Sequence, residues 1–256
     1  MKTLGKLPSI LDRDPYLFRI ETLERFYEIL ENKQLTFVRP GLWTDPLENI
    51  IFNASLVKNG KPYSHPANHT IFGQCWSIQP DSYALWQIYT TKSEKGKISQ
   101  ATGLRITTHL SKLKAISENN AGEFFFGAVK YKSKKDLDAL KKDIKFLSGL
   151  KKEKINEEHL NTLLVKRRSY SYEAEIRLLA VPDSASIDTK NENLCRLSID
   201  PKEFITSLQF DPRMERSDFL AHKKNLVNKW GFRETQVKQS SLAQANRFKF
   251  DLDKTK

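Results

Sequence analysis

Four segments of the sequence place polar residues inside apolar or aromatic runs of the kind that form buried strands. These residues are Arg19 after Tyr16-Leu17-Phe18, Ser77 after Cys75-Trp76, Arg105 between Leu104 and Ile106, and Glu173, Glu175 and Arg177 within residues 172–177. An unpaired charge in a buried strand costs on the order of several kcal/mol. Each charged residue of this set is therefore expected to have a partner of opposite charge or a ligand.

The Glu-x-Glu pair has two interpretations, and the residue types leave both open. Side chains alternate along a strand, so Glu173, Glu175 and Arg177 are predicted to share one face. In the first interpretation they form a cross-strand salt bridge, for instance between Glu175 and Arg19 or Arg105, which does little beyond holding the register. In the second they belong to a functional site.

Hydrophobic periodicity predicts the elements that position these residues. Strands are predicted over residues 16–20, 35–38, 71–77, 103–107, 123–131, 175–181, 194–199 and 205–210. Helices are predicted over residues 21–31, 82–89, 110–116, 134–147, 157–168 and 217–230, and Thr44-Asp45-Pro46 resembles a capped helix start. This order predicts an α+β fold with a mixed, largely antiparallel sheet and flanking helices. With no linker-like segment, residues 1–256 are expected to form one domain with a core over about 14–242.

Composition points to a negatively charged ligand. Lysine and arginine outnumber aspartate and glutamate 43 to 31, and the resulting formal charge of +12 attracts anions. We therefore expect an anionic partner such as a nucleotide. The sequence has no G-x-x-x-x-G-K-S/T loop and no G-x-G-x-x-G after a predicted strand, which argues against P-loop and dinucleotide-fold enzymes.

The cysteines, the N-terminal residues and the length of the apolar stretches bear on the cellular compartment. The cysteines Cys75 and Cys195 lie far apart and do not resemble the disulfide framework of a secreted protein. The N-terminal residues lack an export signal, and no apolar stretch is long enough to span a membrane. We expect a cytoplasmic protein that does not bind membranes.

Blocks spread along the chain resemble a bacterial family, the domain of unknown function 2971. They are Phe18-Arg19, Leu35-Thr36-Phe37 with Pro40, Trp43-Thr44-Asp45-Pro46-Leu47-Glu48, Cys75-Trp76-Ser77, residues 81–89, Gly103-Leu104-Arg105-Ile106, Lys166-Arg167, residues 172–177, Phe210-Asp211-Pro212-Arg213 and Gln239-Ser240. The ordered combination is what makes the resemblance specific. The family name implies no activity, so the function has to be argued from the site.

The order of Arg19, Ser77 and Glu175 is also similar to the Arg-Ser-Glu layout of ADP-ribosyltransferases. This resemblance implies that NAD is the co-substrate and that the fold is ADP-ribosyltransferase-like. Arg19 would bind the pyrophosphate, with Arg105 as a further cofactor-binding residue, and Ser77 would hydrogen-bond the nicotinamide ribose. Glu175 would stabilise the oxocarbenium-like state as nicotinamide leaves, and Glu173 would orient or deprotonate the acceptor.

The same resemblance implies a toxin or a defence effector. The basic surface adds an expectation about its acceptor, which is predicted to be a nucleic acid or an acidic protein.

Two other functions fit the sequence. A nucleic-acid-binding module would use Trp43, Trp76 and Trp86 for stacking, although the apolar surroundings of each tryptophan favour a place in the core. A metal-dependent nuclease would need the oxygen ligands of residues far apart in the chain to converge. Its candidate ligands are Asp45, Glu48, Glu173 and Glu175.

A metal site at His65, His69 and Cys75 is disfavoured. Pro66 breaks the helical geometry that would bring both imidazoles together, so these residues are predicted to be surface histidines and no metal is expected there.

Overall fold

The residues described by the computed structural model are 1–43, 45, 48, 56–63, 69–94, 97–99, 103–140, 142–143, 148–149, 152 and 154–242. The strands are β1 Lys2–Thr3, β2 Tyr16–Thr22, β3 Gln34–Val38, β4 Leu56–Lys58, β5 Lys61–Tyr63, β6 Phe72–Ser77, β7 Lys92–Glu94, β8 Lys97–Ser99, β9 Gly103–His109, β10 Gly122–Ala128, β11 Lys130–Lys132, β12 Val165–Arg167, β13 Glu175–Pro182, β14 Leu194–Ser198, β15 Ser207–Phe210 and β16 Val237–Gln239. The α-helices are α1 Leu23–Asn32, α2 Tyr83–Thr90, α3 Leu110–Asn119, α4 Lys134–Leu140, α5 Glu157–Thr162, α6 Pro201–Phe204 and α7 Arg216–Asn228.

Helix α1 shows why the first part of the chain folds as strand, helix and strand. The Thr22 side chain accepts a hydrogen bond from the Arg25 backbone amide and caps the first turn. The helix buries an apolar stripe against the sheet, and Lys33 ends it in the left-handed conformation with φ of 52°. The chain thereby turns back and enters β3.

Ten strands form one mixed sheet in the order β1-β10-β13-β6-β2-β9-β15-β16, with β3 pairing β6 and β14 pairing β3. The two end strands pair in parallel with their neighbours, β1 with β10 and β16 with β15. All pairings along the order from β10 to β15 are antiparallel. The α+β prediction with a largely antiparallel sheet is confirmed. The strands of Glu175, Ser77, Arg19 and Arg105 are consecutive neighbours, which confirms that the buried polar residues lie in one sheet.

The sheet forks at β6. One edge of β6 pairs with β13 over six residue pairs, from Glu175↔Ser77 to Ala180↔Phe72. The other edge is shared, because β2 pairs with β6 only at Phe18↔Ser77 and β3 only at Val38↔Gly73. Strands β2 and β3 therefore separate along β6 and leave an opening between them.

The two faces of the sheet carry different interiors. The larger core cluster includes Leu17, Trp76, Ile106 and Ile176, and helix α1 contributes Phe26 to it. On the other face a smaller cluster packs Leu179 among residues of α5 and the segment after it. The second face is apolar at that end and polar where β13 begins.

Two helix predictions are wrong in their second halves. The helix expected over residues 134–147 ends at Leu140 in α4, and Lys142 lies in a turn and Asp143 in no regular element. Residues 157–168 were expected to be one helix, but α5 ends at Thr162 and Val165–Arg167 forms β12, which pairs in parallel with β11. The β-branched Val165 and the pairing partner in β11 override the helical pattern. The expected helix start at Asp45-Pro46 involves Pro46, which is outside the described residues.

None of the helices in the described ranges has the length and apolar character needed to cross a membrane.

The fork predicts a steric requirement at Gly73. A Cβ at this position would lie 2.6 Å from Cζ2 of Trp43, so Gly73→Ala should destabilise the protein by about 1–3 kcal/mol through overpacking. Gly41→Ala is the control, because a Cβ there would meet no atom within 4 Å. Chemical denaturation of both variants measures the difference, and equal stabilities would show that Trp43 does not fill the space beside Gly73.

Candidate functional site

A cleft of about 570 Å³ lies at the fork and is lined by residues of β2, β3 and β6 together with α2 and the start of β13. All five residues predicted to form a site line it. They are Arg19, Ser77, Arg105, Glu173 and Glu175. The structure therefore brings together residues that are far apart in the sequence.

The strand register assigns these residues to faces of the sheet. Residues paired directly across strands share a face, and so do alternate residues of one strand. Glu175 pairs with Ser77, Ser77 pairs with Phe18, and Arg105 pairs with Ile20. Arg105, Ser77 and Glu175 consequently lie on one face, whereas Arg19 lies on the opposite face, where Ile106 is its direct partner.

The guanidinium of Arg19 forms hydrogen bonds within the protein. Its Nε donates to the Glu21 carboxylate, and its Nη1 donates to the Cys75 carbonyl at 2.7 Å. The fork explains the second contact, because a carbonyl on the shared edge of β6 lacks a backbone donor there and a side chain can supply one. Burial lowers the pKa of Arg19, but Glu21 outweighs this effect and the pKa is raised.

Ser77 holds the turn that precedes β13. Its hydroxyl donates to the Glu173 carbonyl at 2.6 Å and accepts from the Gln79 backbone amide at 2.9 Å. These two bonds fix the position of Glu173 at the end of the 3-10 helix Arg168–Glu173. Ala174 follows with φ of 44°, so the Glu-x-Glu pair is divided between a helical turn and a strand rather than lying on one strand.

Glu175 is paired with Arg177 and Lys166, not with Arg19 or Arg105 as one interpretation of the sequence expected. Arg177 donates two hydrogen bonds to the Glu175 carboxylate, from Nε to Oε1 at 2.8 Å and from Nη2 to Oε2 at 3.1 Å. The Arg177 guanidinium is fully buried, and its Nη1 donates to the Leu163 carbonyl at 2.6 Å. The guanidinium also contacts the ring of Trp43, whose centre is 4.3 Å from the guanidinium carbon. The neighbour two positions along the same strand replaces the expected cross-strand partner.

Lys166 is the point on which three carboxylates converge. Its Nζ lies 2.7 Å from Glu48, 2.6 Å from Glu173 and 3.3 Å from Glu175. Arg177 also reaches Glu48 at 3.4 Å. Three carboxylates thus share two cations, and by formal charge this acidic cluster carries one negative charge in excess.

Burial and ion pairing act in opposite directions on these groups. Burial raises the pKa of Glu175, but Arg177 and Lys166 outweigh it and lower the pKa from 4.5 to about 2. For Glu173 burial prevails over Lys166, so its pKa is raised. Burial lowers the pKa of Lys166, and Glu175, Glu173 and Glu48 together raise it above its ordinary value. Glu175 is therefore an anion and Lys166 a cation at neutral pH.

Arg105 differs from the other buried cations of the cleft. Its Nε and Nη1 are buried and have no hydrogen-bond partner among the described residues. The Asp81 carboxylate is 3.7 Å from Nη1, beyond normal hydrogen-bond length, and the guanidinium carbon lies 4.7 Å from the centre of the Phe18 ring. Burial lowers the pKa of Arg105, with Asp81 acting against it.

The structure also places the residues of the alternative functions. Glu48, Glu173 and Glu175 converge as a nuclease would require, but the group that they surround is the Lys166 ammonium. Asp45, the fourth candidate ligand, pairs with Arg167 at 3.0 Å. Within the described ranges no group of three His, Cys, Asp or Glu side chains has an arrangement suited to a metal ion.

Two of the tryptophans and one of the histidines follow the simpler predictions. Trp76 and Trp86 are 2% and 0% exposed, which confirms that they belong to the core, and Trp43 lines the cleft. His69 is exposed, and His65 lies outside the described residues.

Sequence reasoning missed Arg177 as the partner that holds Glu175 with two hydrogen bonds. It also placed Lys166 in the helix predicted over residues 157–168, whereas Lys166 lies in β12 after the apolar run Leu163-Leu164-Val165. A charged residue directly after such a run carries the same signal that identified Arg19 and Arg105.

The acidic cluster predicts a large effect of Lys166→Met. Removing one partner of a buried ion pair leaves uncompensated charge, so the variant should lose about 3–5 kcal/mol of unfolding free energy near neutral pH. The loss should shrink in acid, where the carboxylates can be protonated. Lys2→Met is the matched control, because its ion pair with Glu123 is exposed at 2.9 Å and should change stability by less than about 1 kcal/mol. A similar small loss in both variants would contradict the account of the cluster.

The pKa of Glu175 predicts a pH dependence of stability. A carboxylate whose pKa falls from 4.5 to about 2 on folding stabilises the protein above pH 4.5, and this contribution is lost as the pH falls from 4.5 towards 2. Glu175→Gln should therefore show a shallower loss of thermal stability over that interval than the wild type. Glu123→Gln, a change at an exposed carboxylate, should keep the wild-type slope. Parallel curves for Glu175→Gln and the wild type would refute the prediction.

Comparison with known proteins adds a family relationship for part of the chain. No curated protein and no solved structure gives a significant match. The segment over residues 85–178, which contains Arg105, Lys166 and Glu175, matches the model of the family described as Protein of unknown function (DUF2971), and this match supports the family resemblance seen in the sequence.

Proposed function

We propose that the cleft binds NAD and that the protein transfers ADP-ribose from NAD to an acceptor. The observation that carries this proposal is the placement of Arg19, Ser77 and Glu175 on three adjacent strands, β2, β6 and β13, around one cleft. Residue types that follow one another in the order expected of an ADP-ribosyltransferase thus line the same cleft, Ser77 and Glu175 from one face of the sheet and Arg19 from the other. The cleft volume of about 570 Å³ is in the range of small-molecule and cofactor sites.

Glu175 is the candidate for the central role. The developing charge on the ribose is positive as the nicotinamide departs, and a fixed anion stabilises it. Arg177 and Lys166 hold the carboxylate in place and keep it ionised at neutral pH. The excess negative charge of the acidic cluster adds to this stabilisation. Glu173, held by Ser77 and Lys166, is positioned to orient the acceptor.

The reaction balances without a further reactant. The bond between ribose C1′ and the nicotinamide nitrogen breaks, and its electron pair leaves with neutral nicotinamide. A new bond forms between C1′ and an oxygen or nitrogen of the acceptor, which loses one proton to solvent. The net charge of +12 favours a nucleic acid or an acidic protein as the acceptor.

The test measures NAD binding and nicotinamide release in the same protein preparation. Calorimetric titration should show NAD binding to the wild type, and labelled NAD should release nicotinamide when candidate acceptors are present. Glu175→Gln should retain most binding but release nicotinamide roughly a hundredfold more slowly, because only transition-state stabilisation is lost. Glu123→Gln should behave like the wild type.

Two outcomes would contradict the proposal. If the wild type neither binds NAD nor releases nicotinamide with nucleic-acid and acidic-protein acceptors present, the acidic cluster has a structural role alone. If Glu175→Gln loses binding and turnover in equal proportion while remaining folded, Glu175 does not act preferentially on the transition state.

A further inference from the structure

Among the described residues that line the cleft, Arg105 has a buried guanidinium whose hydrogen-bonding capacity is largely unused. Arg19 gives its Nε to Glu21 and its Nη1 to the Cys75 carbonyl, and Arg177 is shared among Glu175, Glu48 and the Leu163 carbonyl. Arg105 has Nε and Nη1 buried without a hydrogen-bond partner among the described residues. Buried donors left unpaired destabilise the folded protein, so they are retained where a ligand completes them.

The position of Arg105 is fixed for such a ligand. Its side chain is 13% exposed and lines the cleft, and the Phe18 ring supports its planar group from one side. The register places Arg105 on the same face of the sheet as Ser77 and Glu175, whereas Arg19 is on the other face. A molecule lying along this face meets Arg105 at one end and the acidic cluster at the other.

We propose that Arg105, rather than Arg19, binds the phosphate groups of the ligand in this cleft. Guanidinium offers two parallel donors to a phosphate or diphosphate oxyanion, which is the chemistry that its unpaired nitrogens require. Arg19 is then a positioning residue that joins β2 to β6 through the Cys75 carbonyl. This inference rests on the proposed function for the identity of the nucleotide, but the phosphate contact itself is independent of any reaction.

The proposal predicts opposite effects of Arg105→Met on stability and on binding. The variant should be as stable as the wild type or more stable, because no hydrogen bond of Arg105 to the described residues is lost. Asp81 loses only an ion pair at 3.7 Å, and its carboxylate keeps the hydrogen bond from the Trp86 indole. Its affinity for inorganic pyrophosphate and for ADP should fall about tenfold or more, as expected for loss of a charged hydrogen bond. Arg105→Lys should recover part of the pyrophosphate affinity, because lysine restores the positive charge but not the two parallel N–H donors of a guanidinium.

Arg19→Met is the matched comparison. It should lower thermal stability, because the carboxylate of Glu21 and the carbonyl of Cys75 lose their partner. Among molecules that remain folded, its affinity for pyrophosphate and ADP should stay within about threefold of the wild type, a difference smaller than one charged hydrogen bond provides.

Calorimetry with pyrophosphate, ADP, NAD and adenosine, together with thermal unfolding, decides the question. Loss of pyrophosphate and ADP binding in Arg105→Met with unchanged adenosine binding supports the inference. Wild-type affinities in Arg105→Met, a selective loss in Arg19→Met, or the absence of pyrophosphate and ADP binding by the wild type would overturn it. The two proposals fail separately: Arg105-dependent ADP binding without nicotinamide release removes only the transferase, whereas normal NAD turnover by Arg105→Met removes only the phosphate contact.

Discussion

A β-strand has two edges, and β6 divides one of them between two partners. Because β2 meets β6 only at Ser77 and β3 meets it only at Gly73, the strand between these points lacks a continuous neighbour. Side chains replace some of the backbone hydrogen bonds that are absent there. Arg19 donates to the Cys75 carbonyl, and Gln74 donates to the Thr36 carbonyl of β3 at 3.1 Å. These two carbonyls have donors although the sheet does not close there, and the cleft is the space that remains.

The charges around this opening are arranged unequally. On the β13 side, Lys166 and Arg177 neutralise most of the charge of three carboxylates, which fixes Glu175 as an anion in a buried position. On the β9 side, Arg105 has a carboxylate 3.7 Å away and no hydrogen bond to the described residues. Each carboxylate on the β13 side has a cationic partner, whereas Arg105 on the β9 side keeps donors unpaired, and this difference supports the proposal that a ligand binds at Arg105. Buried ion pairs contribute little net stability, but breaking one is destabilising, so the folded state depends on the partners of Glu175 remaining in place.

Much of the local structure follows from the sequence pattern. The strands of Arg19, Ser77, Arg105 and Glu175 and most of the helices lie where periodicity predicts them, since each buries an apolar face that only one period satisfies. The pattern failed over residues 157–168, where the apolar residues fit a helix but β12 pairs with β11. Short strands of this kind depend on a distant partner, and a single sequence window contains no information about that partner. The same failure placed Lys166 in the wrong element and left the arrangement of the acidic cluster unpredicted.

By itself the sequence determined which residues needed partners, because a charge within an apolar strand must be compensated wherever the strand lies. It thereby identified Arg19, Ser77, Arg105, Glu173 and Glu175, and all five line one cleft. Only the tertiary structure decided how they are compensated. Glu175 pairs with Arg177 and Lys166, Arg19 turns to the face opposite Ser77, and Arg105 keeps donors unpaired. The physical reason is that strand order, register and the fork at β6 arise from pairings between residues far apart in the chain, and these pairings set the face on which each side chain lies.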